Sequence, residues 1–69
     1  MAEKLVKIYE IVTKLAGLEG RMKLAVKTGV SRTQAAEIED TPDKLTKFAK
    51  EASDIVGRDI TELLEGPKN

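Results

Sequence analysis

Apolar residues recur along this chain at helical spacing and nowhere show the strict alternation of a strand. Leu5, Ile8, Tyr9, Val12, Leu15 and Ala16 fall at i, i+3, i+4, i+7, i+10 and i+11, which predicts one buried stripe on a helix of residues 3–16. Ile11 lies at the edge of that stripe and Val6 outside it. Gly17 and Gly20 then bracket a short break that holds Leu18 and Glu19. A second strong stripe, Leu45, Phe48, Ala49, Ala52, Ile55 and Val56, predicts a helix of residues 42–56. Thr41 is its expected N-cap, Pro42 takes the first helical position, Asp43 sits near the positive end of the dipole, and Gly57 ends it.

Between the two stripes lies the stretch around which the chain is organised, LAVKTGVSRTQAAEIE, residues 24–39. It reads as two short helices, 21–28 and 32–39, joined by a tight turn. Leu24, Ala25 and Thr28 share a face of the first, and Met22 and Val26 lie off that face. Gly29 stops the helix, at a position where positive φ is expected. Val30 supplies an apolar plug for the corner. Ser31 followed three residues later by Gln34 makes a capping-box pattern. Ala35 and Ile38 return to the core, which leaves Arg32, Thr33, Ala36 and Glu37 facing outward. Asp59 and Glu62 loosely repeat the capping pattern before a last short helix, 60–64. The expected fold is therefore all-α, with five short helices in a single domain of residues 1–65 and a frayed tail of residues 66–69.

Composition narrows the chemistry. Sixty-nine residues with 41% apolar content allow one small core. The chain has no cysteine and no histidine, so disulfides, thiolate zinc sites and the commonest general base are all missing. Gly17-Leu18-Glu19-Gly20 lacks phosphate-loop spacing. Glu37, Glu39 and Asp40 read as a solvated helix end rather than an acid–base pair or a cation site. The expectation is a non-enzyme without cofactor or metal, too small to enclose a substrate pocket of ordinary volume. Apolar runs reach only two or three residues, too short for a membrane span, and the N-terminus lacks the uninterrupted apolar segment of a signal peptide. A soluble cytoplasmic protein is expected.

Net charge is zero, twelve cations against twelve anions, but its distribution is uneven. Residues 20–34 carry Arg21, Lys23, Lys27 and Arg32 and no acid, whereas residues 35–65 carry nine acids against four bases. The helix–turn–helix stretch is thus a basic strip on a chain that turns acidic toward its end.

The pattern L-A-x-K-x-G-V-S-R-x-x-x-x-x-I-E resembles the helix-turn-helix of the Cro/C1-type repressors, whose domains are five-helix, λ-repressor-like folds. Leu45-Thr46-Lys47-Phe48-Ala49-Lys50 resembles the fourth helix of that family and Ile60-Thr61-Glu62-Leu63-Leu64 its closing helix, so the likeness spans residues 5–64. It implies sequence-specific binding of double-stranded DNA by a small, repressor-like transcriptional regulator. Residues 32–39 would lie in the major groove. Arg32 would pair with guanine, Thr33 would meet a thymine methyl or a base-edge acceptor, and Glu37 would accept from a cytosine amino group. Gln34 and Ala36 belong to the same reading surface. Arg21 stands where the family often has a phosphate-binding glutamine, and Lys23, Lys27 and Ser31 would join it on the DNA backbone. One such unit reads few base pairs, so a homodimer on a two-fold site is expected, paired through the C-terminal surface with Ile60, Leu63 and Leu64 or through Val6 and Ile11. Several features depart from the family, and the helix of residues 42–56 is about one turn longer than its fourth helix. Val26 occupies a usually polar position, and Asp40-Thr41-Pro42-Asp43 replaces the usual Asn-Gly and basic loop.

A different class of function is the alternative. Met22 to Arg32 also resembles ubiquitin-associated domains, which implies a small protein-interaction module. A repressor-like fold that has lost DNA binding and serves assembly is related to it.

Overall fold

The computed structural model describes residues 3–61. Three helices follow one another: α1 (Glu3–Thr28), α2 (Arg32–Ala35) and α3 (Pro42–Val56), with no strand among the described residues. The all-α class agrees with the stripes, but three helices are described rather than five, the fifth expected one lying almost wholly outside the described residues. The first two expected helices run together as α1, because the break between them is one residue long rather than four. Gly17 alone leaves helical geometry, at φ 73° and ψ −172°, a conformation open essentially to glycine only. Helical backbone resumes at once, and Gly20, the other expected edge of the break, lies inside it.

That single residue turns the chain sharply. In a straight helix, residues eight apart are about 12 Å apart along the axis. Here a Cβ on Gly20 would fall 3.3 Å from Val12 Cγ1, 2.4 Å from Ala16 Cβ and 3.6 Å from Ile55 Cγ2. The second half of α1 therefore folds back against the first and onto α3, and Gly20 is buried against the side chains of Val12, Ala16 and Ile55. Leu15, expected in the core stripe, is instead 42% exposed.

The core takes Leu5, Ile8, Tyr9 and Val12 from the first half of α1, Leu24 from the second, Ala35 from α2, and Phe48 and Ala52 from α3. The Tyr9 and Phe48 rings meet at 6.2 Å between centroids with their planes tilted by 55°, an arrangement favoured by the ring quadrupoles. α3 begins as expected: the Thr41 hydroxyl accepts from the Lys44 N–H at 3.3 Å, and Pro42 follows. At its other end the N–H groups of Gly57 and Arg58 both donate to the Ser53 carbonyl. The Ser53 hydroxyl donates to the Ala49 carbonyl at 2.7 Å and accepts from the Ile60 N–H at 3.1 Å. This tie drops Ile60 into the core, so Ile60 offers no surface for a partner. Asp59 Oδ1 accepts from the Thr61 N–H at 2.9 Å, the expected cap. Glu62, Leu63, Leu64, the remainder of the expected fifth helix and the tail of residues 66–69 lie outside the described residues.

Candidate nucleic-acid interface

The turn between α1 and α2 is built as the local sequence predicts. Gly29 takes φ 73° and its N–H donates to the Ala25 carbonyl at 2.8 Å, which closes the helix. Ser31 then starts α2 with a complete capping box. Its hydroxyl accepts from the Gln34 N–H at 3.2 Å, and the Gln34 side-chain oxygen accepts from the Ser31 N–H at 2.9 Å. From across the core, the Tyr9 hydroxyl donates to the Val30 carbonyl and lies 3.1 Å from the Thr28 hydroxyl. Burial of Tyr9 raises the pKa of its phenol above the ordinary value of 10.0, with the Thr28 contact opposing that rise. Sequence reading finds Tyr9 only as a stripe residue; nothing local shows that its hydroxyl fastens a turn 21 residues away.

α2 is shorter than expected. The α-helical part is Arg32–Ala35, not residues 32–39. Beyond it the bonds tighten to i→i+3, Glu37 N–H to the Gln34 carbonyl at 3.0 Å and Ile38 N–H to the Ala35 carbonyl at 3.3 Å. Three causes act together. Glu37, Glu39 and Asp40 crowd acids at the negative end of the helix dipole. The Asp40 carboxylate accepts from the Lys4 N–H at 3.1 Å, in the first turn of α1, where an acid is favoured. Pro42 keeps Thr41 extended.

The proposed reading residues Arg32, Thr33, Gln34, Ala36 and Glu37 are all exposed, together on and just after one helical turn. Two are partly committed. Gln34 uses its side-chain oxygen in the cap and keeps its amide donors. Arg32 pairs with Glu10 of α1 at 3.3 Å, both side chains remaining open to solvent. Ser31 keeps its O–H as a donor. The cations on the second half of α1 do not form one strip: Lys23 and Lys27, four residues apart, share an exposed face, whereas Arg21 is half-buried and lies about 160° around the helix from Lys23. Ser31 to Glu37 are thus brought together, with Lys23 and Lys27 on the preceding helix and Arg21 to one side.

Elsewhere, an open groove of about 810 Å³ lies between α3 and the residues that follow it, lined by Leu45, Ala49, Lys50, Asp54, Arg58 and Thr61. It shares none of the proposed DNA-binding residues, and the chain continues past Thr61 at its edge. Among the described residues no group of three or more carboxylates is placed to hold a metal ion, and no helix is long and apolar enough to cross a membrane. Comparison with known proteins finds no matching family model, no matching curated protein and no matching solved structure.

Proposed function

We propose that this chain is a small, repressor-like helix-turn-helix protein that binds double-stranded DNA in a sequence-specific way, without enzymatic activity. One observation carries the reading: a capped single turn, held off a positive-φ glycine and fastened by Tyr9, presents Arg32, Thr33, Gln34, Ala36 and Glu37 to solvent, and the helix before it carries the exposed Lys23 and Lys27. Arg32 would take a guanine edge in the major groove, and Thr33 and Glu37 neighbouring bases. Lys23, Lys27 and the Ser31 hydroxyl would hold phosphates, and Arg21 would reach one from its own side. A one-turn element touches few base pairs, so a homodimer accompanies this reading. A regulator of this kind works in the cytoplasm.

The test is fluorescence anisotropy with a library of genomic DNA fragments at two salt concentrations. Saturable binding that prefers some fragments and weakens steeply as salt rises is expected. Absence of binding at low salt overturns the reading.

A second reading, a protein-interaction module, is favoured by a separate observation. Leu18, Met22 and Val26 are 61%, 66% and 82% exposed on the same helix as Lys23 and Lys27. A module that works through them would leave the DNA fragments unbound at both salt concentrations, which separates the two readings in the same assay.

A further inference from the structure

Among the described residues the large apolar side chains left exposed are Leu15, Leu18, Met22 and Val26, all within twelve positions of one helix. Leu18, Met22 and Val26 recur every four residues and form a continuous stripe about 12 Å long on the second half of α1, facing away from Gly20 and Leu24, which are buried. Contiguous exposed apolar surface rimmed by charge marks a contact site. Glu19 and Lys23 flank the stripe on the same side, about 60° and 100° from its centre line. Neither is in an ion pair among the described residues.

We infer that this stripe pairs with the same stripe of a second copy, antiparallel about a two-fold axis through Met22. The choice of occupant follows from the charge. A two-fold axis perpendicular to both helices keeps the same flank on the same side and reverses the direction of the chain. Leu18 of one copy then lies over the partner's Val26, and Met22 over the partner's Met22. Glu19 comes within two residues, about 3 Å along the axis, of the partner's Lys23, and the symmetry makes this ion pair twice. A parallel two-fold pair sets the other flank of the partner there, with Ala25 and the half-buried Arg21, and gives Lys23 no acid to meet. It also aligns the two helix dipoles, so charge selects the antiparallel arrangement. This rests on the homodimer proposed above, which the DNA-binding reading calls for, and it moves the interface from the C-terminal surface to α1. In this dimer Lys23 serves the partner's Glu19, which leaves Lys27 and the Ser31 hydroxyl to hold phosphates.

The experiment is sedimentation equilibrium of the full chain over a wide concentration range, without DNA, with circular dichroism as a check on folding. The parent chain is expected to dimerise reversibly. Val26→Asp, at a position 82% exposed, should abolish the dimer and leave the helical signal and melting temperature unchanged. Glu19→Lys should raise the dimer dissociation constant about fivefold, and Glu19→Lys with Lys23→Glu should restore it. A parent chain that stays monomeric overturns the inference. So does a dimer untouched by Val26→Asp, or one broken by Val6→Glu instead. Should Val26→Asp unfold the chain, the Glu19→Lys and restored double variant decide alone, since both positions are exposed. Because no DNA is present, failure here leaves the DNA-binding assay as an independent test of the proposed function.

Discussion

The Tyr9 hydroxyl donates to the Val30 carbonyl, which joins the first half of α1 to the corner of the turn that precedes α2. Tyr9 is fully buried, and the Thr28 hydroxyl beside it donates to the Leu24 carbonyl at 2.8 Å and accepts from the Val30 N–H at 3.3 Å. One buried phenol thus sets where α2 stands relative to the core. Tyr9→Phe keeps the ring against Phe48 and removes only the hydroxyl. It should cost about 1–2 kcal/mol of stability, read from urea denaturation. Loss of DNA binding beyond that explained by unfolding is expected, because the turn loses its anchor.

The same residue gives a pH dependence with a definite sign. Burial holds the folded-state phenol above 10.0, whereas the unfolded chain releases its proton near 10.0. The folded state therefore binds the proton more tightly. The stability this contributes is fully present below pH 10 and is lost as pH rises through the folded-state value. Urea midpoints measured from pH 8 upward should fall for the parent above pH 10 more steeply than for Tyr9→Phe. Lysines titrate in the same range in both proteins, so the difference between the two curves is the quantity to read. Parallel curves would dismiss the role given to Tyr9.

Two glycines should fail for different reasons. Gly29 has φ 73° and open space where a Cβ would stand, so Gly29→Val should suffer chiefly backbone strain, about 1–3 kcal/mol. Gly29→Asn, which tolerates this conformation, should lose less. Gly20 is helical, and Gly20→Ala would drive a methyl to 2.4 Å from Ala16 Cβ. The halves of α1 must then separate, despite the better helix propensity of alanine. Melting temperatures of the three variants check this. Stabilisation by Gly20→Ala would mean that the halves are not in contact.

Arg32→Ala should weaken binding to the best DNA site by about 1–3 kcal/mol, the range of a bidentate guanine contact. Stability should change little, since the lost pair with Glu10 joins two exposed side chains and is worth at most about 1 kcal/mol. Glu10→Gln releases Arg32 and removes an acid from beside it, so DNA affinity should rise. Anisotropy titrations of the two variants give opposite shifts if Arg32 reads DNA, and no shift if it does not.

The all-helical class, the positive φ at Gly29, the Ser31–Gln34 box and the Thr41-Pro42 start of α3 were legible from sequence because each depends on residues within four positions of one another. The exposure of Arg32, Thr33, Ala36 and Glu37 followed from the same helical spacing. Local pattern also placed Met22 and Val26 off the core face, though not what that exposure amounts to in three dimensions. The tertiary structure decided the rest. Two glycines three residues apart look alike in sequence, yet Gly17 breaks the helix and Gly20 serves a close contact with Val12, Ala16 and Ile55. Periodicity carried the helix of residues 32–39 past its true end, because a tether from Lys4 to Asp40 acts across 36 positions. Counting cations over residues 20–34 merged Arg21 with Lys23 and Lys27, although the helix sets them on different sides. Short-range hydrogen bonds and backbone sterics are written in neighbouring residues, whereas a hydroxyl from residue 9 reaching residue 30, or one helix half folding onto another, exists only once the chain has closed on itself.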